Sequence, residues 1–192
     1  MINYMTSLTS PLRIDALNLG QRRGQMGMTI CPGKQGDSQY GTQWNRDLVT
    51  DIASIRAWGA STLLTLMESE EMQLLGVETI GEVAKNASLH WYQLPIIDGS
   101  IPDNRFDTVW PHIGKTILDE LLSGEKIVVH CRGGLGRTGM IVSALLIETG
   151  YVPSNALAAV RSARPGTVET AKQESFVLNY RPSLLRSPNA SS

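Results

Sequence analysis

Residues 127–150 read as one unbroken pattern: IVVH, an apolar run of strand length; CRGGLGRTG, a glycine-rich turn; and MIVSALLIETG, an apolar run of helix length. A strand apolar at every position is buried on both faces, which a sheet achieves when helices cover it. The rest of the chain alternates in the same way. MGMTIC at 26–31 reads as a strand broken into a loop by Pro32, Gly33 and Gly36. Leu48, Ile52 and Ile55 lie at helical spacing in 45–58, with Asn45 as N-cap, Asp47 in the first turn and Gly59 as the stop. STLLTLM at 61–67 and LHWYQL at 89–94 read as strands, separated by a short helix closed by Gly76 and a second helix at 78–86. The stretch 95–104, PIIDGSIPDN, is dense in turn formers and reads as a loop. A helix over 106–122 follows, its start blurred by Pro111, and helices near 153–163 and 170–180 complete the pattern. Strands separated by helices predict an α/β fold: a single domain with a central, largely parallel sheet flanked by helices on both faces.

The chain has 192 residues, 42% hydrophobic and 18% charged, enough for one domain with a substantial core. The reading places an N-terminal segment at 1–25, the domain at 26–180 and a flexible Ser- and Pro-rich tail at 181–192. A formal net charge of -1 supplies no global positive field for nucleic acid or an anionic membrane. Two cysteines, Cys31 and Cys131, are too few for a disulfide framework and point to a reducing, cytoplasmic setting. No basic, apolar leader and no membrane-spanning run is visible in the sequence. Trp44, Trp58, Trp91 and Trp110 read as core or groove residues, and His90 and His112 are too isolated to suggest a metal site.

The turn between strand and helix carries the chemistry. His130, Cys131, Arg132, Gly133, Gly134, Leu135, Gly136, Arg137 and Thr138 have the form HCxxGxxRT. A glycine-rich turn before a helix points successive backbone N–H groups into one concavity suited to a phosphate dianion. Five residues between Cys131 and Arg137 let the loop close, so the guanidinium can grip the same anion. A thiol ringed by such donors is favoured as thiolate, the nucleophilic form. In open α/β sheets ligands bind beyond the carboxyl ends of the strands, where the sequence places Cys131. His130 is then an anchor of the loop rather than a base, and Arg132 is either a second cation at the phosphate or a solvated one.

HCRGGLGRTG resembles the signature loop of the protein-tyrosine-phosphatase superfamily. PIIDGSIPD at 95–103 resembles the general-acid loop of its dual-specificity branch, particularly the kinase-associated (cyclin-dependent-kinase-inhibitor-3-like) and Cdc14 types. RPGTVETAKQ at 164–173 resembles their downstream glutamine motif, and ICPGKQGD at 30–37 their amino-terminal part. The resemblance spans about 26–180. It implies that Cys131 forms a phosphocysteine intermediate and that Arg137 with the N–H groups of 132–137 binds the transferring oxygens. It implies further that Thr138 hydrogen-bonds the cysteine sulfur, Asp98 is the general acid and then base, and Gln173 orients water. No metal or cofactor is implied. Asp103 rivals Asp98 in the same loop, and a Cys31–Cys131 pairing on oxidation depends on the fold bringing the two together.

These features point to hydrolysis of phosphate monoesters on phosphoproteins. Phosphotyrosine is expected as substrate, extended to phosphoserine and phosphothreonine because the short chain has no obvious material for a deep tyrosine-selective wall. A phosphoinositide, nucleotide or RNA-end phosphatase on the same loop, or a phosphate-binding module without turnover, are the alternatives. The loop's only extra cation is Arg132, although Lys34, Arg161 or Arg164 could fold over its mouth.

Overall fold

The computed structural model describes residues 4–20, 23–37 and 43–185. The remaining tail residues, 186–192, lie outside this set. The chain runs β1 (Tyr4–Met5), β2 (Asp15–Asn18), β3 (Gln25–Thr29), β4 (Gln35–Asp37), β5 (Gln43–Asn45), α1 (Leu48–Ala57), β6 (Thr62–Thr65), α2 (Ser69–Leu74), α3 (Ile80–Asn86) and β7 (His90–Gln93). It then continues through α4 (Asn104–Leu122), β8 (Lys126–His130), α5 (Gly136–Glu148), α6 (Pro153–Ala163) and α7 (Ala171–Asn179).

Five strands form the central sheet in the order β2-β3-β8-β6-β7. All neighbours are parallel except β2, which runs antiparallel along the edge beside β3. The three inner strands are buried at nearly every position, as a doubly covered sheet requires, whereas β2 alternates between half-buried and exposed. The crossovers from β3 to β6 and from β6 to β7 advance across the sheet, and the crossover from β7 to β8 returns. With right-handed crossovers, this reversal puts α1 and α3 on one face and α4, with α5 to α7, on the other. A small second sheet, β1-β5-β4, joins the N-terminal segment to the stretch that follows Pro32, where the sequence predicted a loop. Strands of two or three residues carry too little periodicity to be read from sequence.

Other expectations shift in register. Helix α1 is capped by Asp47, whose carboxylate accepts from Thr50 N–H at 2.7 Å, rather than by Asn45, which is committed to β5 in pairing with Gln35. Asp103 caps α4, so that helix starts at Asn104 and Pro111 falls in its interior. Helix α5 starts inside the glycine-rich turn, at Gly136, and is buried along its whole length. The packed unit also extends past 26–180 at both ends. Strand β2 joins the sheet, and Ser183 and Leu184 donate their N–H groups to the Glu148 carboxylate at the end of α5. Among the described residues no helix is long and apolar enough to cross a membrane.

The parallel register places three strand ends side by side: Thr29 opposite His130, and His130 opposite Thr65. Two further bonds, Cys31 N to Arg132 O at 3.3 Å and Leu66 N to His130 O at 3.0 Å, carry the alignment just beyond the strands. Behind this edge a buried ion pair joins the start of α1 to two loops. Arg46 contacts Asp51 through Nε at 2.7 Å and Nη2 at 2.9 Å, and donates from Nη1 to Ser10 O at 2.7 Å. Asp51 also accepts from Gly33 N at 2.8 Å. With both side chains only 1% exposed, removing one partner strands the other charge away from water. Asp51→Ala is therefore expected to lower the unfolding free energy by about 3–5 kcal/mol in urea titrations.

Candidate active site

Cys131 follows the last residue of β8, and the loop it opens closes at Arg137 in the first turn of α5. The turn needs glycine at Gly134, where φ is +67° and an added Cβ would stand 2.1 Å from Thr29 O. Arg164 braces the loop from outside, donating to Gly134 O at 2.7 Å and Gly133 O at 3.2 Å while pairing with Asp15 of β2 at 2.6 Å. With its carbonyls held outward, the N–H groups of Arg132, Gly133, Gly134 and Leu135 make no hydrogen bond to the rest of the described chain. Successive unpaired donors of this kind are what an anion-binding concavity requires.

The Arg137 side chain is 1% exposed, and its position is fixed by partners on α2 and on the connection between β7 and α4. Nη1 and Nη2 clasp Glu71 of α2 at 2.7 and 2.8 Å. Nη1 also donates to Ile96 O at 3.0 Å, and Nη2 meets Asp98 Oδ1 at 2.8 Å. Nε is buried without a partner. Burial by itself would lower the pKa of Arg137. The hydrogen bond to Glu71 and the charges of Cys131, Glu71 and Asp98 outweigh that cost and raise it above the usual arginine range. The guanidinium is thus a fixed cation beside the Cys131 thiol, with one donor left for a ligand.

Residues 95–103 contribute two carboxylates with different surroundings. Asp98 reaches Arg137 and is 61% exposed at the mouth of the site. Asp103 instead caps α4 through Arg105 N at 2.9 Å and pairs with Arg105 at 2.7 Å, with the Arg105 side chain first among the causes that lower its pKa. Gln173, buried, completes the capping box of α7 with Thr170. Its Oε1 accepts from Glu169 N at 3.1 Å and its Nε2 donates to Ser100 O at 3.1 Å, which ties α7 to the loop carrying Asp98. Thr138 is buried beside the loop, and its hydroxyl has no hydrogen-bond partner, so the bond to sulfur expected from the sequence is not formed in this structure.

Sequence reasoning passed over Glu71, Glu169 and the bracing role of Arg164. The acidic run ESEEMQ was visible, but nothing local says which of its carboxylates faces an arginine 66 residues away. Of the cations considered for the mouth, Arg161 is bound to Thr167 O, Val168 O and Glu174, and Arg164 to the loop carbonyls and Asp15. Lys34 is buried, with its ammonium 5.0 Å over the Trp44 ring, and its pKa is lowered by burial first and by Arg132 next, with Cys31, Cys131 and Glu71 opposing. Cys31 is a free, fully buried thiol pushed up by burial, beside the loop through the Arg132 carbonyl. Among the described residues no group of three or more His, Cys, Asp or Glu side chains could hold a metal ion.

Residues 42–177 match the family described as "Swiss Army Knife protein, DSP-PTPase phosphatase domain", and the chain belongs to this dual-specificity and protein-tyrosine-phosphatase family. It is 30% identical over 125 residues to protein tyrosine phosphatase type IVA 2 of Mus musculus, covering 60% of this chain and 74% of that one. It is 24% identical over 142 residues to cyclin-dependent kinase inhibitor 3 of Rattus norvegicus, covering 72% and 66%. Of curated relatives such as these the chain spans as little as 52% of the length and as much as 74%. The fold is shared with crystallised kinase associated phosphatase at TM-score 0.75 and 21% identity, over 88% of this chain and 93% of that one.

His130 sets the tautomer at the base of the loop. Its Nδ1 lies 3.4 Å from Cys131 O, an acceptor, and so carries the proton; Nε2 then accepts from Thr65 Oγ1 at 2.8 Å, which itself accepts from Trp91 Nε1 at 2.9 Å. Burial first, and the nearby Arg137 charge, push His130 down from 6.5 to about 4, against the raising effect of its bond to Cys131 O. The imidazole is therefore neutral at pH 7, as an anchor should be. Because the unfolded chain binds this proton below 6.5 and the folded one only near 4, the contribution is complete above 6.5 and is lost as pH falls toward 4. Wild-type protein is expected to lose roughly 3 kcal/mol more stability than His130→Asn between pH 7 and pH 4, read by urea unfolding at each pH.

Proposed function

We propose that this family member hydrolyses phosphate monoesters on phosphoproteins, at phosphotyrosine and at phosphoserine or phosphothreonine, through a phosphocysteine intermediate on Cys131. The observation that carries the proposal is the buried Arg137 guanidinium, protonated and held by Glu71, with Nε unpartnered at the loop that begins with Cys131. A phosphate entering the loop accepts from the N–H groups and from Arg137. Cys131 Sγ, as thiolate, attacks phosphorus; the S–P bond forms as the bond to the ester oxygen breaks. Asp98 gives its proton to that leaving oxygen, then takes one from the water that attacks phosphorus and expels the thiolate. Arg137 and the loop donors hold the equatorial oxygens through both steps. His130 anchors the loop. Gln173 holds the acid loop through Ser100, and so sets where Asp98 meets the water.

Asp98 is favoured over Asp103 because it stands on Arg137, whereas Asp103 is occupied as a helix cap. A single phosphate also suits the charge present, since Glu71 and Asp98 already offset Arg137, and Arg161 and Arg164 are bound elsewhere. One observation favours a second reading. Lys34 and Arg132 add two cations near Cys131, and PTPMT1, which shares the fold at TM-score 0.60, was crystallised with PI(5)P. Parallel kcat/KM values on phosphopeptides and phosphoinositides at one ionic strength separate the two; preference for the lipid would sink the phosphoprotein reading and leave the catalytic roles standing.

Cys131→Ser is expected to lose more than about a thousandfold in aryl phosphate turnover while keeping its fold, and near wild-type rates would remove Cys131 from the mechanism. Asp98→Asn is expected to slow substrates with poor leaving groups by about 10²–10⁴-fold and good ones much less. A larger, leaving-group-dependent loss in Asp103→Asn would reverse the assignment.

A further inference from the structure

One carboxylate at the site has no place in the chemistry above. Gly136 is the first residue of α5, so its N–H is an orphan donor of that helix, and it belongs to the loop between Cys131 and Arg137. Glu169 Oε2 accepts from this N–H at 2.8 Å. The contact is built rather than incidental. An added Cβ on Gly136 would stand 2.5 Å from the same carboxylate oxygen and 2.7 Å from Gln173 Oε1, so a side chain there would push both of these ends aside. The backbone that presents Glu169 is held on both sides: Val168 N donates to Leu135 O at 3.3 Å, and Glu169 N donates to Gln173 Oε1 at 3.1 Å. Val168 itself is held at φ +60°, a costly conformation for a β-branched residue that persists only where its surroundings impose it.

We propose that Glu169 is a specificity-determining residue of the phosphate site: a resident carboxylate on the Gly136 donor, which an incoming oxyanion must displace. The proposal rests on the reading of the loop as a phosphate site. An anion at Cys131 that uses the Gly136 N–H cannot share that hydrogen with Glu169. Once displaced, the carboxylate stays within a few ångströms of the bound anion, because its backbone is pinned. The repulsion between them scales with the charge of the ligand. Glu169 thus sets a threshold that a single phosphate group meets at modest cost and that a diphosphate meets at a greater one. The substrate class selected is the isolated phosphate monoester, and chains of phosphates are disfavoured even though Arg132 and Lys34 lie nearby.

Calorimetric titration of the full chain with inorganic phosphate and with pyrophosphate tests this without requiring turnover. Glu169→Gln keeps the shape and an acceptor oxygen and removes the charge. It is expected to bind phosphate about tenfold more tightly than wild type, with a larger gain for pyrophosphate. Glu169→Ala, which removes the competitor entirely, should gain affinity as well. A residue that merely shaped the loop would give the opposite sign, so unchanged or weaker phosphate binding in both variants overturns the proposal. An equal gain for the two anions overturns the selection against diphosphates. Wild-type protein that binds phosphate yet hydrolyses no monoester would sink the enzymatic reading and leave this one intact, whereas no phosphate binding by wild type or variants would sink both.

Discussion

A guanidinium almost wholly withdrawn from water cannot remain charged without compensation, and the fold around Arg137 is organised to provide it. Glu71 arrives from α2, Asp98 and the Ile96 carbonyl from the connection between β7 and α4, and the loop itself from β8. Each lies beyond the carboxyl end of a parallel strand. The sheet order that places β6 between β8 and β7 brings these three connections together over the loop. Misplacing any of them would leave a buried charge short of partners, so Arg137 couples the site to the topology.

The charge around the loop is close to balanced rather than strongly positive. Arg137, Arg132 and Lys34 are countered by Glu71, Asp98 and Glu169, while Arg164 spends its charge on Asp15 and the loop carbonyls. Such a site gains little from long-range attraction and must recognise its ligand through short, directed donors. That fits a loop whose N–H groups from Arg132 to Leu135 are left without partners among the described residues while its carbonyls are tied back. It also explains why the edge strand β2 matters to the site: Asp15 orients Arg164, which holds the outer face of the turn.

Much of the fold was legible because the inner strands and α5 are built around apolar runs, and such runs announce themselves locally. The glycine-rich turn was legible for a related reason, since its donors, its glycines and Arg137 all lie within one short segment. Asp98 and Gln173 were proposed for the site only through resemblance of their surrounding motifs. Glu71 and Glu169 were missed because a carboxylate's partner depends on which way its backbone faces, and neither the acidic run in α2 nor the VETAKQ segment records that direction. The helix cap at Asp47 rather than Asn45 and the short sheet β1-β5-β4 were missed because two or three residues carry no usable period.

The sequence by itself determined a strand–turn–helix unit with Cys131 and Arg137 at the two ends of its turn, because backbone geometry over seven residues leaves little freedom once glycines occupy the turn. Tertiary structure alone decided which carboxylates would meet Arg137, which of Asp98 and Asp103 would stand at the mouth, and that Glu169 would rest on the Gly136 donor. Those contacts join segments separated by 33 to 66 residues. Their geometry follows from crossover connections and strand order, which the energy of the whole sheet selects and no local segment encodes.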